Sequence, residues 1–154
     1  MDNFEEVEQL NVQPQLVVTE EMRSYLYDMA KWANFLAIVG FVFTGFTIIS
    51  AFTVGAAIGT SPEVAAMVGA MGKLGSLGFT AIFLVYAFAI FYPSLLLFKY
   101  ATKAKLGVLY GEQASLDEAL GKIKSLFKYW GIVVIIFLAL YMLLIVANFM
   151  RMSA

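Results

Sequence analysis

Cysteine and histidine are both absent from the 154 residues, and each absence removes a block of chemistry. Without cysteine there is no disulfide, no thiolate metal site and no thiol nucleophile, and the chain says nothing about redox compartment. Without histidine, the commonest general base, ordinary haem ligation and imidazole zinc sites are excluded as well. Charge is scarce too: 14% of residues are charged, against about a quarter in a soluble domain. The inventory points to no cofactor, no metal site and no catalytic residue, and the chain is expected not to be an enzyme.

What is present is apolar, at 62% of the residues. Three runs carry no charge: Ala33 to Gly59, Leu74 to Phe98 and Gly131 to Met150. About 20 apolar residues rising 1.5 Å each cross a hydrocarbon core of roughly 30 Å. The expected fold class is an all-α membrane protein with spans at about 33–59, 74–98 and 131–150. An interfacial amphipathic helix and a short helix in the first connection complete it. Residues 1–18 read as a flexible acidic tail, and 19–154 as a single transmembrane helical domain. A signal peptide is not expected, because the first residues are acidic and the first apolar run is too long for an h-region.

Thr19 followed by Glu20 and Glu21 is a helix start, a hydroxyl cap followed by acids at the positive end of the dipole. Apolar residues then recur every three or four positions into the first span, which predicts one helix of about forty residues. Gly40, Gly45, Gly55 and Gly59 break up that span, the last two as a GxxxG. Small residues let helices approach closely in lipid, so these four are the candidate packing positions. Thr44, Thr47, Ser50 and Thr53 follow the same span; such hydroxyls most often bond their own backbone carbonyls.

Ser61-Pro62-Glu63 opens a short helix. Gly69, Gly72, Gly75 and Gly78 then fall every third residue, fitting one side of a tight helix or a hinge. An interfacial half-helix, a plain connector and a re-entrant loop compete here, and the first two are favoured because bare backbone at depth needs protein or water around it. In the second span, Pro93 frees the carbonyl of Ala89 and predicts a kink. Tyr92 and Tyr100 fall at the depth of an interface belt. The third span is bulky and partly β-branched, a composition that suits a lipid-facing helix.

Between spans two and three, Ser115 with Glu118 reads as a capping box. Leu116, Ala119, Leu120, Ile123, Leu126, Phe127 and Trp130 share an arc of about 120°, with acids and lysines opposite. This pattern predicts a helix over 115–129 lying in the headgroup plane. Lys99, Lys103, Lys105, Lys122, Lys124 and Lys128 are the candidate headgroup contacts. With Arg23 and Lys31 they place eight basic residues on one side of the membrane and leave Lys73 and Arg151 on the other. Basic residues stay cytoplasmic, so the N-terminus is expected inside and the C-terminus in the periplasm.

The runs TEEMRSYLYDMAKWANFLAIVGFVFTGF and SLDEALGKIKSLFKYWGIVVIIFLALY resemble a family of small bacterial membrane proteins common in Bacteroidota, filed as a domain of unknown function. The resemblance spans roughly residues 19 to 150 and implies a multi-pass protein of the bacterial inner membrane. It brings no functional residues.

Two functions follow as expectations. The first is a non-enzymatic accessory or structural subunit, or a self-associating scaffold, whose partners are the lipid bilayer and a homo-oligomer or larger membrane complex. The second is an oligomeric channel or transporter component lined by Thr44, Thr47, Ser50 and Thr53. Against it, no ionisable residue lies inside any span, where an ion or proton route usually shows one. Nucleic-acid binding is not expected, since the lysines are explained by membrane orientation.

Overall fold

The computed structural model describes residues 18–152, the last two by backbone alone. The acidic tail expected over 1–18 therefore falls almost wholly outside the described residues. Thr19 is the cap its sequence predicts, its Oγ1 accepting from the Met22 amide at 3.3 Å. Helix α1 then runs unbroken over Glu20–Thr60, about 60 Å at 1.5 Å per residue. That is twice a hydrocarbon core, so the helix carries its span and a long extension beyond it.

The first connection is compact. Pro62 occupies the first turn of α2, Pro62–Met67, and a 3₁₀ helix follows over Gly69–Leu74. Three residues per turn is the period at which Gly69, Gly72 and Gly75 recur. Gly69 and Gly75 bracket this turn with φ of 59° and 71°, left-handed values that a β-carbon disfavours. Gly72 presses on the carbonyl of Ala65, leaving no room for a side chain.

Helix α3, Gly75–Tyr110, returns antiparallel to α1 and passes through Pro93 without interruption. Gly111 closes it in the left-handed conformation, φ 67°. Helix α4 begins at Gln113 and continues to Met152. The connection between the second and third spans thus shrinks to Gly111 and Glu112. All three long helices are apolar and long enough to cross a membrane.

Two sequence expectations are corrected here. Residues 115–129 are helical and amphipathic, but they are the first turns of α4 and not a separate helix lying in the headgroup plane. Their inward positions Leu116 and Ala119 are buried and pack with α1 and α3 instead of lipid. Nothing breaks the helix at the membrane boundary: Gly131 stands there, as Gly121 does a few turns earlier, and an interior glycine costs only about 1 kcal/mol. Second, Ser115 does not cap the helix with Glu118. The helix starts two residues earlier, the buried Ser115 hydroxyl donates to Glu112 Oε2 at 2.7 Å, and Glu118 turns to α3.

Candidate functional site

The most extensive helix–helix contact in the molecule is the seam between α1 and α3. On α1 the buried positions Ala30, Ala37, Thr44, Ala51 and Ile58 recur every seven residues. On α3, Thr80, Ala87, Ser94 and Ala101 repeat with the same spacing, all buried or half-buried. A seven-residue period slightly underwinds the helix and keeps one stripe on its partner along a left-handed crossing. Because nearly every member is small, the backbones come close, which is how packing is gained in lipid.

Three of the four candidate packing glycines lie on this seam. A β-carbon at Gly40 would collide with the Ser94 side chain, and one at Gly55 with Thr80 Oγ1. Gly59 faces Ser76 at ordinary contact distance, 3.5 Å. The GxxxG is therefore used within the chain. Gly45 is the exception: it is exposed, and a β-carbon there would meet nothing within 4 Å, so its expected role in packing this chain is not met. The heptad of alanines is the better signal, legible in the sequence but less conspicuous than the glycines.

The hydroxyls of α1 look inward to their own helix. Thr44, Thr47 and Thr53 donate to the carbonyls of Gly40, Phe43 and Ile49 at 2.8 to 2.9 Å. Thr44 is buried in the seam, whereas Ser50 and Thr53 are exposed outside it. One hydroxyl ties the two helices together: Thr80 Oγ1 donates to the Ala51 carbonyl at 3.2 Å.

All three long helices meet at the lysine-rich ends of the charge-free runs. Ala30 and Ala33 of α1, Tyr100, Ala101 and Ala104 of α3, and Ala119 of α4 form one buried cluster. Gly107 lets the α3–α4 hairpin close, since a β-carbon there would sit 2.9 Å from the Leu116 amide nitrogen. Lys103 Nζ meets Glu118 Oε2 at 2.8 Å across the hairpin, and Lys122 lies 3.7 Å from the same carboxylate. The Lys103 hydrogen bond holds the Glu118 carboxyl below its ordinary value and lifts the Lys103 ammonium above its own. Of the six candidate headgroup lysines, Lys103 and Lys122 thus brace the hairpin. Lys99, Lys124 and Lys128 are exposed, Lys105 is half-buried, and none of these four pairs with an acid among the described residues.

Further along the hairpin, Tyr129 donates its hydroxyl to the carbonyl of Ala89 at 2.7 Å. This is the carbonyl that Pro93 leaves without an amide partner, so α4 supplies from outside the bond that proline removes. Tyr92 packs tilted against Tyr129 at a centroid distance of 5.3 Å. Past this point every residue of α4 from 134 to 150 is exposed.

An apolar groove of about 520 Å³ opens beside the three-helix cluster. Met29, Trp32 and Leu36 of α1, Leu97 and Tyr100 of α3 and Ile123 of α4 form its walls. In the sequence Tyr100 reads only as a belt tyrosine. It has no unusual neighbours in the chain, and its burial arises only when the helices assemble. Among the described residues no cluster of acidic side chains is placed to hold a metal ion. Comparison with known proteins found no matching family model, no matching curated protein and no matching solved structure.

Proposed function

We propose that the chain is a non-enzymatic accessory or structural subunit of a bacterial inner membrane, built to present its third span to other membrane proteins or to copies of itself. The observation that carries this reading is the division of labour among the spans. Helices α1 and α3 satisfy each other along a seam of small residues. The α4 span is exposed from residue 134 onward while its base is clamped by Glu118, Leu116 and Tyr129. A helix held firmly at one end and exposed over 134–148 finds its neighbours there in lipid or in another protein. The channel reading draws no support from α1, whose Thr44, Thr47 and Thr53 hydroxyls donate to their own helix. The lysine count favours a cytoplasmic N-terminus and a periplasmic C-terminus.

The experiment is gentle detergent extraction of the native protein beside a variant whose residues 134–150 are replaced by an alternating Leu-Ala segment. The native chain is expected to emerge with a defined partner or as a defined oligomer, and the variant as a folded monomer. A native chain that runs as a lone monodisperse monomer would overturn the proposal. A C-terminal alkaline phosphatase fusion, expected to be active, checks the orientation.

A further inference from the structure

Tyr100 is 1% exposed, and its hydroxyl is the one buried side-chain polar atom among the described residues that lacks a hydrogen-bond partner. A buried hydroxyl left unpaired costs about 1–3 kcal/mol, so an acceptor that displaces the side chains covering it is favoured at this position. Tyr100 also lines the groove described above, whose other walls are almost entirely hydrocarbon. The depth is informative. Tyr100 stands two residues past the charge-free run ending at Phe98, beside Lys99, and opposite it the groove contains Trp32, which follows Lys31. Tryptophan and lysine at this position mark the level of the lipid glycerol and headgroup. The one carboxylate at the rim, Asp28, already faces Lys31 at 3.3 Å.

We propose that this groove is a binding site for one diacyl phospholipid of the lysine-rich leaflet. One acyl chain runs along Met29, Leu36, Leu97 and Ile123, and its ester carbonyl, once the side chains covering Tyr100 part, accepts from the Tyr100 hydroxyl. Lys99, exposed and without an acidic partner among the described residues, stands at the level of the phosphate. An acyl chain supplies the apolar contact the walls offer, and the ester oxygen removes the unpaired donor. The site is independent of whatever protein meets α4.

The test is thermal unfolding of the full chain in dodecyl maltoside as dioleoyl phosphatidylglycerol is titrated in. Parallel titrations use the dialkyl ether analogue, which keeps the phosphate and lacks both ester carbonyls. The wild type is expected to gain stability saturably with the ester lipid, with a half-saturating concentration about two- to tenfold lower than with the ether lipid. Tyr100→Phe should bind both lipids alike, at the weaker level. It should also melt higher than wild type without lipid, because the unpaired hydroxyl is gone. Leu36→Trp, which fills the groove, should lose the response; Met29→Trp serves if that variant does not fold. An ester response equal in wild type and Tyr100→Phe, or equal for ester and ether lipid, overturns the assignment.

Discussion

The α1–α3 seam and the α4 span share a solvent, and the α4 span is the more apolar of the two, yet one is the most extensive helix contact in the molecule and the other leaves residues 134–148 exposed. What separates them is side-chain size. In water both would be driven to bury, but lipid tails are as apolar as leucine, so association has to come from packing and hydrogen bonds. The seam offers Ala30, Ala37, Gly40, Ala51 and Gly55 against Ala87, Ser94 and Ala101, and Thr80 adds a hydrogen bond to the Ala51 carbonyl. The α4 span offers Ile, Leu, Val and Phe, which hold a neighbouring backbone at a distance. Where α4 does attach, it does so below the span, through the small residue Ala119, through Leu116 against Gly107, and through the polar groups of Glu118 and Tyr129.

The comparison breaks most readily at Gly40. Gly40→Leu drives a side chain into Ser94 across the seam and is expected to cost about 1–3 kcal/mol by overpacking. Gly45→Leu, pointing into open space, should change stability by less than about 0.5 kcal/mol. Unfolding in mixed micelles, followed by circular dichroism, measures both. Ser94→Gly in the Gly40→Ala background should recover most of the loss seen in Gly40→Ala alone. Equal effects at Gly40 and Gly45 would mean that the seam does not hold the molecule together.

Part of this contrast is legible in the chain itself. The forty-residue first helix, the Thr19 cap and the freed Ala89 carbonyl are local consequences of sequence, and each is found where expected; of the two readings of the glycine rhythm, the tight helix is found over Gly69–Leu74 and Gly78 lies beyond it. The orientation of 115–129 is not legible, for a physical reason. An apolar stripe flanked by lysines is the same pattern whether it meets headgroups or another helix. Only the alanines at 30, 101 and 104, distant in sequence, decide in favour of the helix. Ser115 and Glu118 satisfy a capping pattern by spacing alone, although Glu118 has a lysine waiting across the hairpin. The burial of Tyr100 is equally invisible, because it depends on all three helices at once.

A smaller effect separates the buried and bare leucines. Leu96 lies 7% exposed on α3, whereas Leu138 on α4 is 58% exposed. Leu96→Ala removes packed atoms and should cost about 2 kcal/mol, while Leu138→Ala should stay within about 0.5 kcal/mol. The same micelle titration reads both. A large loss at Leu138 in the isolated chain would show that α4 packs within its own molecule after all.

Tyr129 sharpens the boundary between clamp and exposed span. Tyr129→Phe removes the hydrogen bond to the Ala89 carbonyl and should cost about 1 kcal/mol. In a Pro93→Ala background residue 93 regains an amide that bonds the same carbonyl within α3. The Tyr129→Phe penalty should then fall to about half, and a double-mutant cycle measures that coupling. Identical penalties in the two backgrounds would mean that the proline and the tyrosine act independently.

The smallest effect lies at the base of the hairpin, where Glu118 meets Lys103 in partial exposure to water. The carboxyl is held below its ordinary value of 4.5, chiefly by the Lys103 hydrogen bond. Its contribution is therefore complete above about that pH and disappears as the pH falls through the depressed value. The ammonium is raised above 10.5 by the same bond, so its share is complete below that pH and disappears as the pH climbs through the raised value. Stability of the wild type should thus form a plateau between these limits and decline on both sides. Glu118→Gln should flatten both limbs by a small margin, smaller still in high salt because the pair is screened. Measuring midpoint against pH in uncharged detergent isolates the pair from lipid charge. If the limbs persist unchanged in Glu118→Gln, the clamp at the base of α4 rests on the apolar cluster and Tyr129 without this ion pair.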